Sequence, residues 1–164
     1  MKAVLHSFAY ALDYLREQVA DVRDEQMVAQ PGGIVNHPAW TIGHLVHSCE
    51  EIGGVIGVAP WLPADWAKRF GTGSVPVADV GAYEGKKGLL ERLRDGQGRI
   101  TRAVEGLDEG RLDAVFPNPA YRVVFPTVRH ALTQVLVGHV ANHVGQVIVW
   151  RRAMGLPGMA RGFE

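Results

Sequence analysis

Apolar side chains in this chain recur at steps of three and four, and no stretch alternates with a period of two. Val4, Phe8, Leu12, Leu15, Val19 and Val22 follow that spacing in the first segment, the signature of one buried helix face. The pattern predicts a helix of roughly five to six turns that ends before "QPGG" at 30–33, where proline and paired glycines break it. A second helix begins at "NHPAW", with Pro38 suited to the first helical position and Asn36 or His37 near its cap, and runs to about Gly57. A third spans roughly 82–107 on Leu90, Leu93, Ile100, Val104 and Leu107. A fourth starts at "PTVRHAL", with Thr127 as cap, and continues to about Met154, where Gly155 and Pro157 stop it. Four long helices without a strand pattern predict an all-α protein, an antiparallel four-helix bundle forming a single domain over 1–164.

Two connections depart from this regularity. Residues 58–81, "VAPWLPADWAKRFGTGSVPVADVG", carry three prolines, several glycines and the aromatics Trp61, Trp66 and Phe70. A connection of that length is uncommon in a compact domain unless it has a task. At most it holds one short helix, "PADWAKRF". The segment "LDEGRLDAVFPNPAYRVVFP" reads as an irregular linker with a short extended piece at "YRVVF".

Charge and composition narrow the function. Seventeen basic and seventeen acidic side chains cancel, which argues against a nucleic-acid binder whose affinity rests on phosphate contacts. The single cysteine, Cys49, permits no intrachain disulfide and is expected to be a small buried residue rather than a nucleophile. The first residues, interrupted by Asp13, Arg16 and Glu17, lack a signal-peptide pattern. The apolar stretch at 135–150 is shorter than a membrane span and contains Asn142 and Gln146. The expectation is a cytoplasmic protein with no membrane and no nucleic-acid partner.

Chemistry concentrates in "VLVGHVANHVGQVIVW", residues 135–150. His139 and His143 stand four apart, so both rings project from one face on successive turns and can converge on one metal ion. A metal needs at least a third protein ligand. Helix two supplies candidates in "AWTIGHLVHSCEE": His44 and His47 are three apart and share a face with Trp40 and Glu51. His44, flanked by the small Gly43, ranks first. His47 is a second ligand or a supporting group, and Glu51 a carboxylate that could orient an imidazole. Two separately hydrogen-bonded core histidines would explain the HxxxH pair equally well from spacing alone. His6, His37 and His130 lie near helix ends or loops and suit surface or capping roles. Arg151 and Arg152 read as surface or helix-end charges.

Together, "NHPAWTIGHLVHS" and "HVANHVGQVIVWRRAMGLP" resemble the DinB-like superfamily of four-helix bundle proteins, whose relatives include bacillithiol and mycothiol S-transferases and a mycothiol-dependent maleylpyruvate isomerase. The resemblance covers nearly the whole chain, including "PADWAKRFGTGS" and "FPTVRHAL". It implies a divalent metal, with zinc, nickel or iron as candidates and zinc the default, held by His44, His139 and His143. The HxGQ pattern falls on His143, Gly145 and Gln146, while His47 occupies a position where some relatives are acidic. The implied chemistry is activation of a small thiol or of water, as in S-transfer or thiol-assisted isomerisation, with a low-molecular-weight thiol as co-substrate. Trp40, Trp61, Trp66 and Phe70 would wall a pocket for a small-molecule substrate, and Gln146, His47 and Glu51 could support catalysis. The alternative is a non-catalytic metal-binding protein of the bacterial stress response acting as a homodimer.

Overall fold

The computed structural model describes residues 1–159, and over these the chain is all-helical. The long helices are α1 (Lys2–Gln18), α2 (Pro38–Val55) and α4 (Lys86–Glu105), with the short α3 (Trp66–Phe70) and α5 (Glu109–Asp113) in the connections. The last rod joins α6 (Val128–Thr133), a π-helical turn (Gln134–His139) and α7 (Val140–Ala153). Gly155 ends it with φ +69°, a conformation that favours glycine. No strand occurs among the described residues. "YRVVF" is not extended: Phe125 N–H bonds the Tyr121 carbonyl at 2.7 Å in a turn, and only an isolated bridge, Val115 to Thr127, closes this segment into a strap.

Helix α1 buries Phe8, Leu12 and Leu15 as its spacing predicts, and it ends at Gln18, ahead of the expected break at 30–33. The cause is tertiary. Lys86 at the start of α4 donates its ammonium to the carbonyls of Val19, Ala20 and Val22, giving partners to groups that a longer helix would have satisfied internally. Arg151 of α7 completes the stop. Its guanidinium meets the Gln18 carbonyl at 2.9 Å and both Asp21 carboxylate oxygens at 2.6 and 2.8 Å. Arg151 is therefore no surface charge; it is 1% exposed and anchors two helices. His37 caps α2 and is also fully buried, its Nδ1 accepting from Trp40 N–H while Nε2 donates to the Val77 carbonyl.

The long helices form a bundle in which α2 packs on α4 and α7, and α1 on α7 and α4. Not all neighbours are antiparallel. A Cβ at Gly96 would touch Cys49 and one at Gly53 would touch Ile100, so α2 and α4 run in the same direction. By contrast Asn36 reaches Gln146 while His44 reaches His139, so α2 and α7 are antiparallel. Parallel neighbours explain the long aromatic connection. The chain must travel back along a helix of about 27 Å before α4 can begin. Cys49 is buried, and desolvation pushes its thiol up to about 12, as a small core residue requires. No helix among the described residues is long and apolar enough to cross a membrane.

Candidate metal centre

His44 enters the bundle from α2, His139 closes the π-turn and His143 follows one turn later on α7. Their Nε2 atoms meet: His44 to His139 is 3.1 Å and His143 to His139 is 3.1 Å. Among the described residues these three form a cluster whose ligand atoms all lie within 4.8 Å of one another. The π-turn matters here, since such turns locally re-phase a helix and are frequent at functional sites. It joins α6 to α7 and ends on His139, one turn before His143.

The protons on the rings can be assigned from their partners. His44 Nδ1 donates to the Phe70 carbonyl at 2.7 Å, and His143 Nδ1 donates to Gln146 Oε1 at 3.1 Å. Both acceptors are oxygens, so both Nε2 atoms present lone pairs to the centre. His139 Nε2 faces the two of them, and its Nδ1 is buried without a protein partner. A single proton on His139 cannot satisfy two lone pairs and its own second nitrogen together. Two nitrogens tetrahedrally bound to one zinc at about 2.0–2.1 Å stand about 3.3–3.4 Å apart, close to the spacing seen. The donor set therefore fits a divalent cation better than it fits three imidazoles alone.

Burial sets the charge state. Desolvation lowers the pKa of His44 despite the opposing bond to Phe70. It pushes His139 down to about 4, reinforced by His44, and His143 to about 4, reinforced by His139 and His44. Neutral imidazoles are the form that ligates.

Outer groups hold the rings. Trp40 stacks on His44 with centroids 4.8 Å apart and planes 8° from parallel, and its indole N–H bonds Ser74 Oγ at 2.9 Å. Asn36 donates to Gln146 Oε1 at 3.1 Å, so Gln146 is itself held. The Phe70 carbonyl is delivered by α3, which docks on α2 through the Trp66 indole N–H to the Gly43 carbonyl at 3.1 Å. Gly43 is obligatory for that contact, because a Cβ there would lie 2.1 Å from the Phe70 ring.

The expected tryptophan-walled pocket is not where the cavity lies. Trp66 and Phe70 are buried core, and Trp61 covers Gly53 and Gly96 on the α2–α4 seam. A cavity of about 470 Å³ opens beside His44 and His139, and the aromatic strap residues Phe116, Tyr121 and Phe125 wall it instead. The signal for them was present in "FPNPAYRVVFP", three aromatics interleaved with prolines. His47 sits half-buried on the cavity wall, outside the histidine cluster, and Glu51 is exposed at the mouth. Glu51 orients no imidazole; the Phe70 carbonyl does that for His44.

Fold and site together define a helical bundle with a three-imidazole centre open to a cavity. Residues 7–147 match the DinB superfamily, and the chain belongs to it. A solved structure described as a conserved protein from Enterococcus faecalis superposes with a TM-score of 0.76 at 15% identity, covering 94% of this chain and 96% of that one. At that identity the likeness is one of fold. No curated protein matches the chain.

Proposed function

We propose that this protein is a metal-dependent enzyme that binds a divalent ion, zinc by default, on His44, His139 and His143 and activates a small thiol or water there. The observation that supports it is the outward commitment of two Nδ1 protons, which leaves three Nε2 atoms facing one another at the edge of a cavity. A bound ion would supply Lewis acidity, lowering the pKa of a thiol or water beside it. The protein's own residues do the rest. The Phe70 carbonyl and Gln146 fix the tautomers of His44 and His143, so no proton competes for the ligating nitrogens. Trp40 keeps the His44 ring from rotating. His47 lines the cavity wall, and we assign it to take up the proton of a bound thiol or water. The strap aromatics give the cavity an apolar wall beside the histidines.

The cavity favours turnover over a purely structural or storage role, since a closed site would need no such opening beside its ligands. The test is metal analysis of protein purified without a polyhistidine tag. We expect about one equivalent per chain, falling below about a tenth in His139→Ala. Less than half an equivalent in the wild type would remove the metal. Metal-dependent consumption of low-molecular-weight thiols with electrophilic acceptors then tests the reaction class; turnover undiminished by chelation would rule out the proposed chemistry.

A further inference from the structure

The cavity beside the histidines has a long axis, and its chemistry changes along that axis. One wall steps down α2 through His44, His47, Ser48, Glu51, Ile52 and Val55, and the facing wall through His139, Val135, Gln134 and Ala131. Because α2 and the last rod are antiparallel, both series leave the histidines in the same direction. At the rise of a helix they extend about 12 Å from His139 to Ala131 and about 16 Å from His44 to Val55. The polar groups of α2 crowd the histidine end, where the Ser48 hydroxyl is already committed to the His44 carbonyl at 2.9 Å. Past Glu51 that wall is only Ile52 and Val55, and no charged side chain among the described residues lines the far half. The Gln134 amide lies back over its own helix at Gly138. The strap supplies a third wall: Phe116 and Phe125 meet edge to face with centroids 5.5 Å apart, and Tyr121 stacks on Phe125 at 6.4 Å. Arg122 pins this wall by donating to the Phe116 and Pro117 carbonyls.

Resting on the metal reading of the proposed function, we infer that the cavity takes an elongated molecule with a metal-binding head at the histidines and an unbranched apolar tail. The tail runs along α2 toward Val55, between Ile52 and the strap aromatics, and is up to about 12 Å long. A compact ligand would leave the far half of the cavity unfilled, whereas each methylene buried there raises affinity by up to about fourfold. A hydroxyl on the tail would be drawn out of water against walls that offer it no charge, so tails with polar ends are disfavoured.

The experiment is isothermal titration of butano-, heptano- and decanohydroxamate into zinc-treated protein, three probes that share one zinc-binding head. Three added methylenes, partly open to solvent, should tighten binding by about tenfold at each step. 7-Hydroxyheptanohydroxamate should bind several-fold more weakly than heptanohydroxamate. Val55→Thr, which exchanges one methyl for a hydroxyl at the far end, should weaken decanohydroxamate several-fold and leave butanohydroxamate unchanged, while Phe125→Ala should flatten the dependence on length. The inference is overturned if the three bind alike, if the terminal hydroxyl costs nothing, if Val55→Thr weakens the shortest and longest equally, or if none binds at millimolar concentration. Repeating the series in chelated protein and in His44→Ala tests the metal separately. There all three should weaken by one common factor, because only the head loses its site. Length-dependent binding that chelation leaves untouched would refute the metal centre alone; zinc-dependent binding with no dependence on length would refute only the tail's place in the cavity.

Discussion

Three imidazoles buried together carry a cost that depends on pH, and its sign follows from their pKa values. His139 and His143 are held down to about 4 by burial first, and then by His44 beside His139 and by His139 and His44 beside His143, against 6.5 in an unfolded chain. Below pH 6.5 the unfolded chain takes up protons that the folded one refuses, so stability falls as pH falls from 6.5 to 4 and then levels off. At about 1.4 kcal/mol per pKa unit, and discounting for partial solvent access, the loss is on the order of 3 kcal/mol in chelated protein. Urea midpoints measured across that range should fall less steeply in His143→Gln. Superimposable curves for variant and wild type would show that the rings titrate normally. The same depression keeps the nitrogens free to ligate at pH values where ordinary histidines are already protonated.

At the scale of elements, the centre depends on a short helix that touches no ligand cavity. Helix α3 delivers the Phe70 carbonyl to His44 and is seated by Gly43, whereas Gly138 in the π-turn meets only the movable amide of Gln134. The two glycines should therefore respond oppositely to alanine. Gly43→Ala drives a methyl into a buried ring, with an expected cost of about 1–3 kcal/mol and about tenfold in zinc affinity. Gly138→Ala displaces a flexible side chain and gains helix propensity, so its stability should stay the same or rise by up to about 1 kcal/mol. Chemical denaturation and competition with a zinc indicator read both. Equal losses in the two variants would contradict the assigned role of α3.

For the whole molecule, the site spans two helices that are adjacent in space and about ninety-five residues apart in sequence (|i−j| = 95 for His44 and His139), so a bound ion cross-links the bundle. An ion that binds only the folded state stabilises it by about 2.7 kcal/mol at a hundredfold excess over Kd. For a chain of this size that corresponds to a rise in Tm of about 5–10 °C. Differential scanning calorimetry with zinc, and again after chelation, measures it. The rise should vanish in His44→Ala; an equal rise there would mean that the ion binds elsewhere.

Periodicity and residue chemistry made much of this protein legible in one dimension. Steps of three and four marked the long helices, because a helix face repeats locally, and the HxxxH pair put two rings on one face for the same reason. Pro38 and Gly155 marked ends that backbone sterics alone decide. What lies outside local sequence was settled only by packing. The stop of α1 at Gln18 depends on Lys86 and Arg151 arriving from other helices. The parallel course of α2 and α4 turned the aromatic connection into a strut that holds His44 through a backbone carbonyl, a group no side-chain motif can reveal. The cavity's aromatics came from the strap instead, since which loop covers an opening is a matter of topology and not of composition.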